Sequence, residues 1–123
     1  MLSSRFTHHR LDAYRVAIEL FRGVEALASR FPTEFAGLLA QRGRATAATV
    51  RNLAEGANRA HPRDKAARFM VARGEAGECD AALEMASVLR LGEPAAILRL
   101  RHLADRVAAM ATGLARRQQE GAP

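Results

Sequence analysis

The sequence predicts an all-α protein, an antiparallel up-down-up-down four-helix bundle, and three observations carry that prediction. Nearly half of the 123 residues are hydrophobic (49%), yet only 5% are aromatic. Alanine, leucine and arginine dominate, side chains that lose little rotamer freedom in a helix. Apolar residues recur at steps of three and four along most of the chain. Clusters of breaking residues divide it into helical segments joined by short links, which force neighbouring helices antiparallel. The length fits one domain with a buried core that needs no disulfide or metal.

The first helix is predicted from about Leu11 to Arg30, with Leu11, Tyr14, Ile18, Phe21, Leu27 and Phe31 on one stripe. Pro32 ends it, because the residue before a proline avoids helical geometry. The second is predicted from about Thr33 to Asn58. Thr33 stands at its N-cap and Glu34 in its first turn. Its stripe is weaker: Phe35, Leu38, Leu39, Ala45, Val50, Leu53 and Ala57. Pro62 opens the third helix, a favoured first position. Phe69, Ala72, Ala76, Cys79, Leu83 and Ala86 give it heptad-like spacing, and Leu91-Gly92 ends it with a glycine cap. Pro94 opens the fourth, with Ile97, Leu100, Ala104, Val107, Ala111 and Leu114 at the same spacing. Residues 1–10 are expected as a flexible N-terminal segment, 11–115 as the bundle and 116–123 as a frayed tail.

Charge is the most informative feature beyond the fold. The formal net charge is +6. Arg42, Arg44, Arg51, Arg59, Arg63, Lys65, Arg68 and Arg73 stand against only Glu55 and Asp64 between positions 42 and 73, so this segment holds the whole excess. A neutral scaffold with one charged segment points to a polyanionic partner. Arginine suits phosphate because its planar fork donates two hydrogen bonds at once. Arg44, Arg51, Arg59, Arg63, Lys65 and Arg68 are therefore candidate phosphate contacts, with Arg42 and Arg73 at the margins. An ordinary solvated face laced with Glu55 pairs is the alternative reading. Few aromatics accompany these residues in sequence, so backbone contact is expected over base stacking.

The remaining chemistry is sparse. The single cysteine, Cys79, sits on the apolar stripe and is read as a small core residue. Cysteine usage, no signal peptide and no apolar span of about 18 residues lead to a cytoplasmic expectation. No His8, His9, His61 or His102 is preceded at three residues by glutamate, so a di-iron bundle site is not expected. Phosphate-loop and nucleophile-elbow patterns are missing too. No cofactor and no enzymatic activity are predicted.

One block carries a resemblance. Gln41, Arg44, Ala45, Asn52, Ala54, Glu55 and Gly56 fall into register with the Q-x-x-R-A…S-N-I-A-E-G pattern of the 23S rRNA intervening-sequence proteins, a four-helix-bundle family. Leu11-Asp12-Ala13-Tyr14, Arg68-Phe69, Leu83-Glu84 and Leu89-Arg90-Leu91-Gly92 resemble its other helices. Val50 replaces the family's helix-two proline, and Tyr14 its usual tryptophan. The resemblance implies a ring-like homopentamer without enzymatic activity. It also implies relatives encoded inside ribosomal RNA insertions, and a branch of retroelement accessory proteins that partner a reverse transcriptase and bind nucleic acid. For Gln41, Asn52, Glu55 and Gly56 two readings stand, a partner site or internal hydrogen bonds with close helix approach at Gly56. Gly74 and Gly77, with Ala72, Ala76 and Ala81, form a small-residue side of helix three, facing either the bundle or a second subunit. The function expected is a non-enzymatic nucleic-acid-binding or ribonucleoprotein accessory bundle. The alternative is a scaffold for an acidic partner protein.

Overall fold

The computed structural model describes residues 4–120. The side chains at 36 and 39–42 lie outside the described residues, and with them the candidate contacts Gln41 and Arg42. The chain forms α1 (Asp12–Ala28), α2 (Ala36–Asn58), α3 (Pro62–Val88) and α4 (Pro94–Glu120), with 3-10 turns at Thr7–Arg10 and Thr33–Phe35. Each helix packs on two neighbours, α1 on α2 and α4, and α3 on α2 and α4. This closed square is the four-helix bundle that the periodicity predicts.

On α3 and α4 the expected stripes are the core. Phe69, Ala72, Ala76, Cys79, Leu83 and Ala86 are buried, as are Ile97, Leu100, Ala104, Val107 and Ala111. Helix α1 is turned relative to expectation. Its core face is Ala13, Val16, Ala17, Leu20, Val24 and Leu27, while Leu11, Tyr14, Ile18 and Phe21 are only half-buried. Two adjacent apolar stripes run along this helix, and local spacing cannot choose between them. Helix α2 differs as well. Thr46 and Thr49 lie in the core with Ala45, Leu53 and Ala57, whereas Val50 is half-buried. The Thr49 hydroxyl donates to the Ala45 carbonyl at 2.7 Å, so its methyl can face the core at little polar cost.

Helix ends also shift. Thr33 starts a 3-10 turn and caps nothing; α2 begins at Ala36. α3 stops at Val88, earlier than expected. The Leu91 amide donates to the Ala86 carbonyl (2.9 Å) and the Arg90 amide to that of Ser87 (3.0 Å), the paired bonds of a Schellman end. The left-handed position is therefore Arg90, with φ of 57°, two residues before the glycine expected to cap the helix. Gly92 is needed for another reason: its φ is 76°, and a Cβ there would meet Leu27 Cδ1 at 2.6 Å.

Close approach holds α2 to α3. A Cβ on Gly56 would stand 2.6 Å from Phe69 Cε1, so the buried ring lies on bare backbone. This supports the structural reading of Gly56. Between α3 and α4, the Arg101 guanidinium donates from Nε to Asp80 Oδ1 (2.8 Å) and from Nη2 to Asp80 Oδ2 (3.3 Å), with Glu84 at 3.7 Å. That two-pronged geometry raises the Arg101 pKa, first through the Asp80 hydrogen bond and then its charge.

The small-residue side of α3 divides in two. Ala72 and Ala76 are buried, but Gly74, Gly77 and Ala81 face outward, and Cβ atoms on the two glycines would meet nothing within 4 Å. Met70, Val71, Met85 and Val88 are exposed too, Val88 at 76%. The outward side of α3 thus carries an apolar strip, flanked by the exposed Arg63, Asp64, Arg73, Glu78 and Glu84.

Two stability outcomes follow. Gly56→Ala gains up to about 1 kcal/mol of helix propensity but overpacks Phe69, so thermal unfolding should show a net loss of about 1–2 kcal/mol. Arg90→Gly should stabilise by about 1 kcal/mol in the same assay, because it relieves a left-handed arginine.

Candidate nucleic-acid interface

The bundle's topology decides where the basic residues meet. The start of α1, the end of α2, the start of α3 and the end of α4 share one end of the bundle. Several contacts tie them together. The Thr7 amide donates to Asn58 Oδ1 at 3.0 Å, which joins the N-terminal turn to the last residue of α2. Lys65 Nζ, in the first turn of α3, donates to the carbonyls of Ala57 (2.8 Å) and Arg59 (3.2 Å). Arg63 and Met70 line a cleft with Gln118 and Gln119, and Arg10 lines another with Arg117.

The structure brings part of the predicted set to this end. Arg59 and Arg63 are exposed here, with Arg68 half-buried beside them. Lys65 is here too, but two of its three N–H donors are engaged by carbonyls at the end of α2. It closes that helix end, which reduces what it can offer a phosphate. Arg59 (3.2 Å) and Arg68 (3.4 Å) share one carboxylate, Glu55, so two positive charges are matched by one negative. Glu55 is half exposed and joins α2 to α3. Asn52 donates to the Ala48 carbonyl at 2.8 Å, a bond within its own helix.

The rest of the set lies elsewhere. Arg73 sits midway along α3, Arg51 lies about 10 Å from the α2 end and Arg44 about 20 Å from it at 1.5 Å per residue. Arg51 acts on α3 through Glu75. Burial raises the Glu75 pKa first, then a hydrogen bond and charge from Glu78, while Arg51 pulls it back down. Arg44, Arg63 and Arg73 are exposed, with no carboxylate within 4 Å among the described residues.

Sequence reasoning passed over Arg5, Arg10, Arg116 and Arg117, all exposed at or beside this same end. They belong to a part of the chain whose charges cancel in sequence, so a linear window cannot find them. Summing charge by bundle end, once an up-down topology is drawn, would have done so.

Aromatic rings stand beside these cations. The His8 ring lies 4.3 Å from that of His9, 4.6 Å from Tyr14 and 5.8 Å from Phe6. Asn58 Nδ2 is 2.8 Å from His8 Nδ1. Because Asn58 Oδ1 already accepts from Thr7, Nδ2 must be the donor and His8 Nδ1 the acceptor. His8 is therefore neutral at Nδ1 in this arrangement. Burial, and then the charge of His9, lower its pKa from the ordinary 6.5. No group of three or more metal-ligating side chains occurs among the described residues, and no described helix is long and apolar enough to cross a membrane.

The depressed His8 pKa fixes a sign. Its neutral contact with Asn58 is fully present above pH 6.5 and is lost as pH falls through the lower folded value. The protection factor of the Thr7 amide, its exchange rate relative to the intrinsic rate at each pH, should therefore fall on acidification, while amides of α3 stay protected. A Thr7 protection factor that stays constant while the His8 ring protonates would refute the clamp.

A family model described as 23S rRNA-intervening sequence protein matches residues 9–113. No curated protein matches the chain.

Proposed function

The chain belongs to the 23S rRNA-intervening sequence protein family, and from that membership we propose that it is a non-enzymatic nucleic-acid-binding bundle, an accessory protein that works as a homo-oligomer. The observation that carries this reading is the convergence of Arg10, Arg59, Arg63, Arg116 and Arg117 on one end of the bundle, where Glu55 is the only carboxylate paired with any of them among the described residues. Concentrated like charge of this kind is unfavourable for the isolated fold. It becomes favourable beside a polyanion, whose counterions are released on binding. The contacts would go to the phosphate backbone, so they would carry little sequence preference.

Self-association has its own support. The exposed face of α3, with Met70, Val71, Met85 and the open glycines, is an apolar surface that a single copy leaves in water. Two or more copies would also multiply the charged ends. A partner such as a reverse transcriptase, working on the same nucleic acid, would gain from a protein that gathers the strand. A basic end docked on an acidic partner protein is the competing arrangement, and nuclease treatment during a pull-down would leave that contact intact.

Salt titration of binding to a structured RNA is the direct test. The log–log slope should be steep, about −0.7 to −0.9 for each phosphate contacted. Arg63→Glu with Arg117→Glu should weaken binding by at least tenfold and flatten the slope. Arg44→Glu, at the far half of α2, should change both less. Affinity that ignores salt would end the proposal.

A further inference from the structure

Phe6, His8, His9 and Tyr14 are separated from the arginine-rich segment in sequence, yet the fold sets them on the rim of the basic end. Asn58 does this by two bonds, accepting from the Thr7 amide and donating to His8 Nδ1. His8 is in turn wedged against Tyr14 at the start of α1. The outermost ring is Phe6. It stacks on His8 with a centroid separation of 5.8 Å and an interplanar angle of 27°. Only one face of the phenyl ring is backed in this way. The residue is 62% exposed, and the bundle's core makes no use of it.

Arginines flank the ring along the chain and at its anchor. Arg5 precedes it, Arg10 closes the turn that follows, and Arg59 comes directly after the Asn58 anchor. Arg5 and Arg10 have no carboxylate within 4 Å among the described residues. An aromatic face held in a fixed orientation, with Arg5 adjacent in the chain and Arg10 and Arg59 at the same bundle end, matches a nucleobase with its flanking phosphates. Bases within a duplex are stacked on each other and cannot reach such a ring without being pulled out of the stack.

We propose that this end of the bundle binds single-stranded nucleic acid, with an unpaired base stacked on Phe6 while Arg5, Arg10 and Arg59 hold the neighbouring phosphates. The idea rests on the basic-end reading above and narrows it to a class of strand. It also revises the expectation of backbone contact over base stacking, because that expectation counted aromatics only along the sequence.

The test uses the full chain and three probes of equal length: a thymidine oligonucleotide, the same sugar-phosphate backbone without bases, and a duplex. Tyr14 is the only tyrosine and there is no tryptophan, so its emission reports on this cluster without a label. The base-bearing strand should bind about fivefold tighter or more than the abasic strand, and only the former should quench Tyr14. Phe6→Ala should remove that preference and keep abasic-strand binding, whereas Phe6→Trp should retain the preference. Phe6 is exposed, so both variants should melt like the parent. Equal binding of the two single strands, or a preference that survives in Phe6→Ala, overturns the proposal and leaves the basic-end reading standing. Failure of all three probes to bind overturns both.

Discussion

The bundle depends on how closely its helices approach. Its core is built largely from alanine: Ala13, Ala17, Ala45, Ala57, Ala66, Ala72, Ala76, Ala82, Ala86, Ala104, Ala111 and Ala115 are all buried. Side chains this small fill space only when backbones come close, and interiors must reach near-crystalline density. Phe69 seated on Gly56 is the extreme case, with the largest buried ring placed where the opposite helix has no side chain. A core of larger residues would move the helices apart. It would also loosen the corner where the ends of α2 and α4 meet the starts of α3 and α1.

Charge is used in two ways on this frame. Where carboxylates are available, they staple helices together. Glu55 joins α2 to α3 through Arg59 and Arg68, and Asp80 with Glu84 joins α3 to α4 through Arg101. These groups are partly exposed, so each staple contributes modestly and serves mainly to fix register. Where carboxylates run short, positive charge accumulates at one end of the bundle. Lys65 is neither staple nor surplus, since it satisfies the carbonyls where α2 stops. Surplus positive charge and a structural cap therefore coexist within a few residues, and only the hydrogen bonds tell them apart.

The same logic separates the two kinds of small residue. Gly56 is small because Phe69 needs the room, and Gly92 because its backbone is left-handed and Leu27 is near. Gly74 and Gly77 answer to nothing within the subunit. They lie among exposed methionines and valines on the outward side of α3, a strip flanked by the exposed charges of Arg63, Asp64, Arg73, Glu78 and Glu84.

The sequence by itself determined that the chain is helical, where three loops fall, and which faces of α3 and α4 are buried, because three-four periodicity and the prolines are local properties. It also marked Gly56 and Glu55 through a short block resembling a known family. Local properties could not choose between the two stripes of α1, put Thr46 and Thr49 in the core, or move the cap of α3 from Gly92 to Arg90. Those were decided by packing against other helices and by where a hydroxyl or carbonyl found a partner. The charged end belongs wholly to the tertiary structure. Residues near 10, 60 and 117 are neutral or basic pieces of sequence until antiparallel helices bring them to one place, and electrostatic fields follow distance in space.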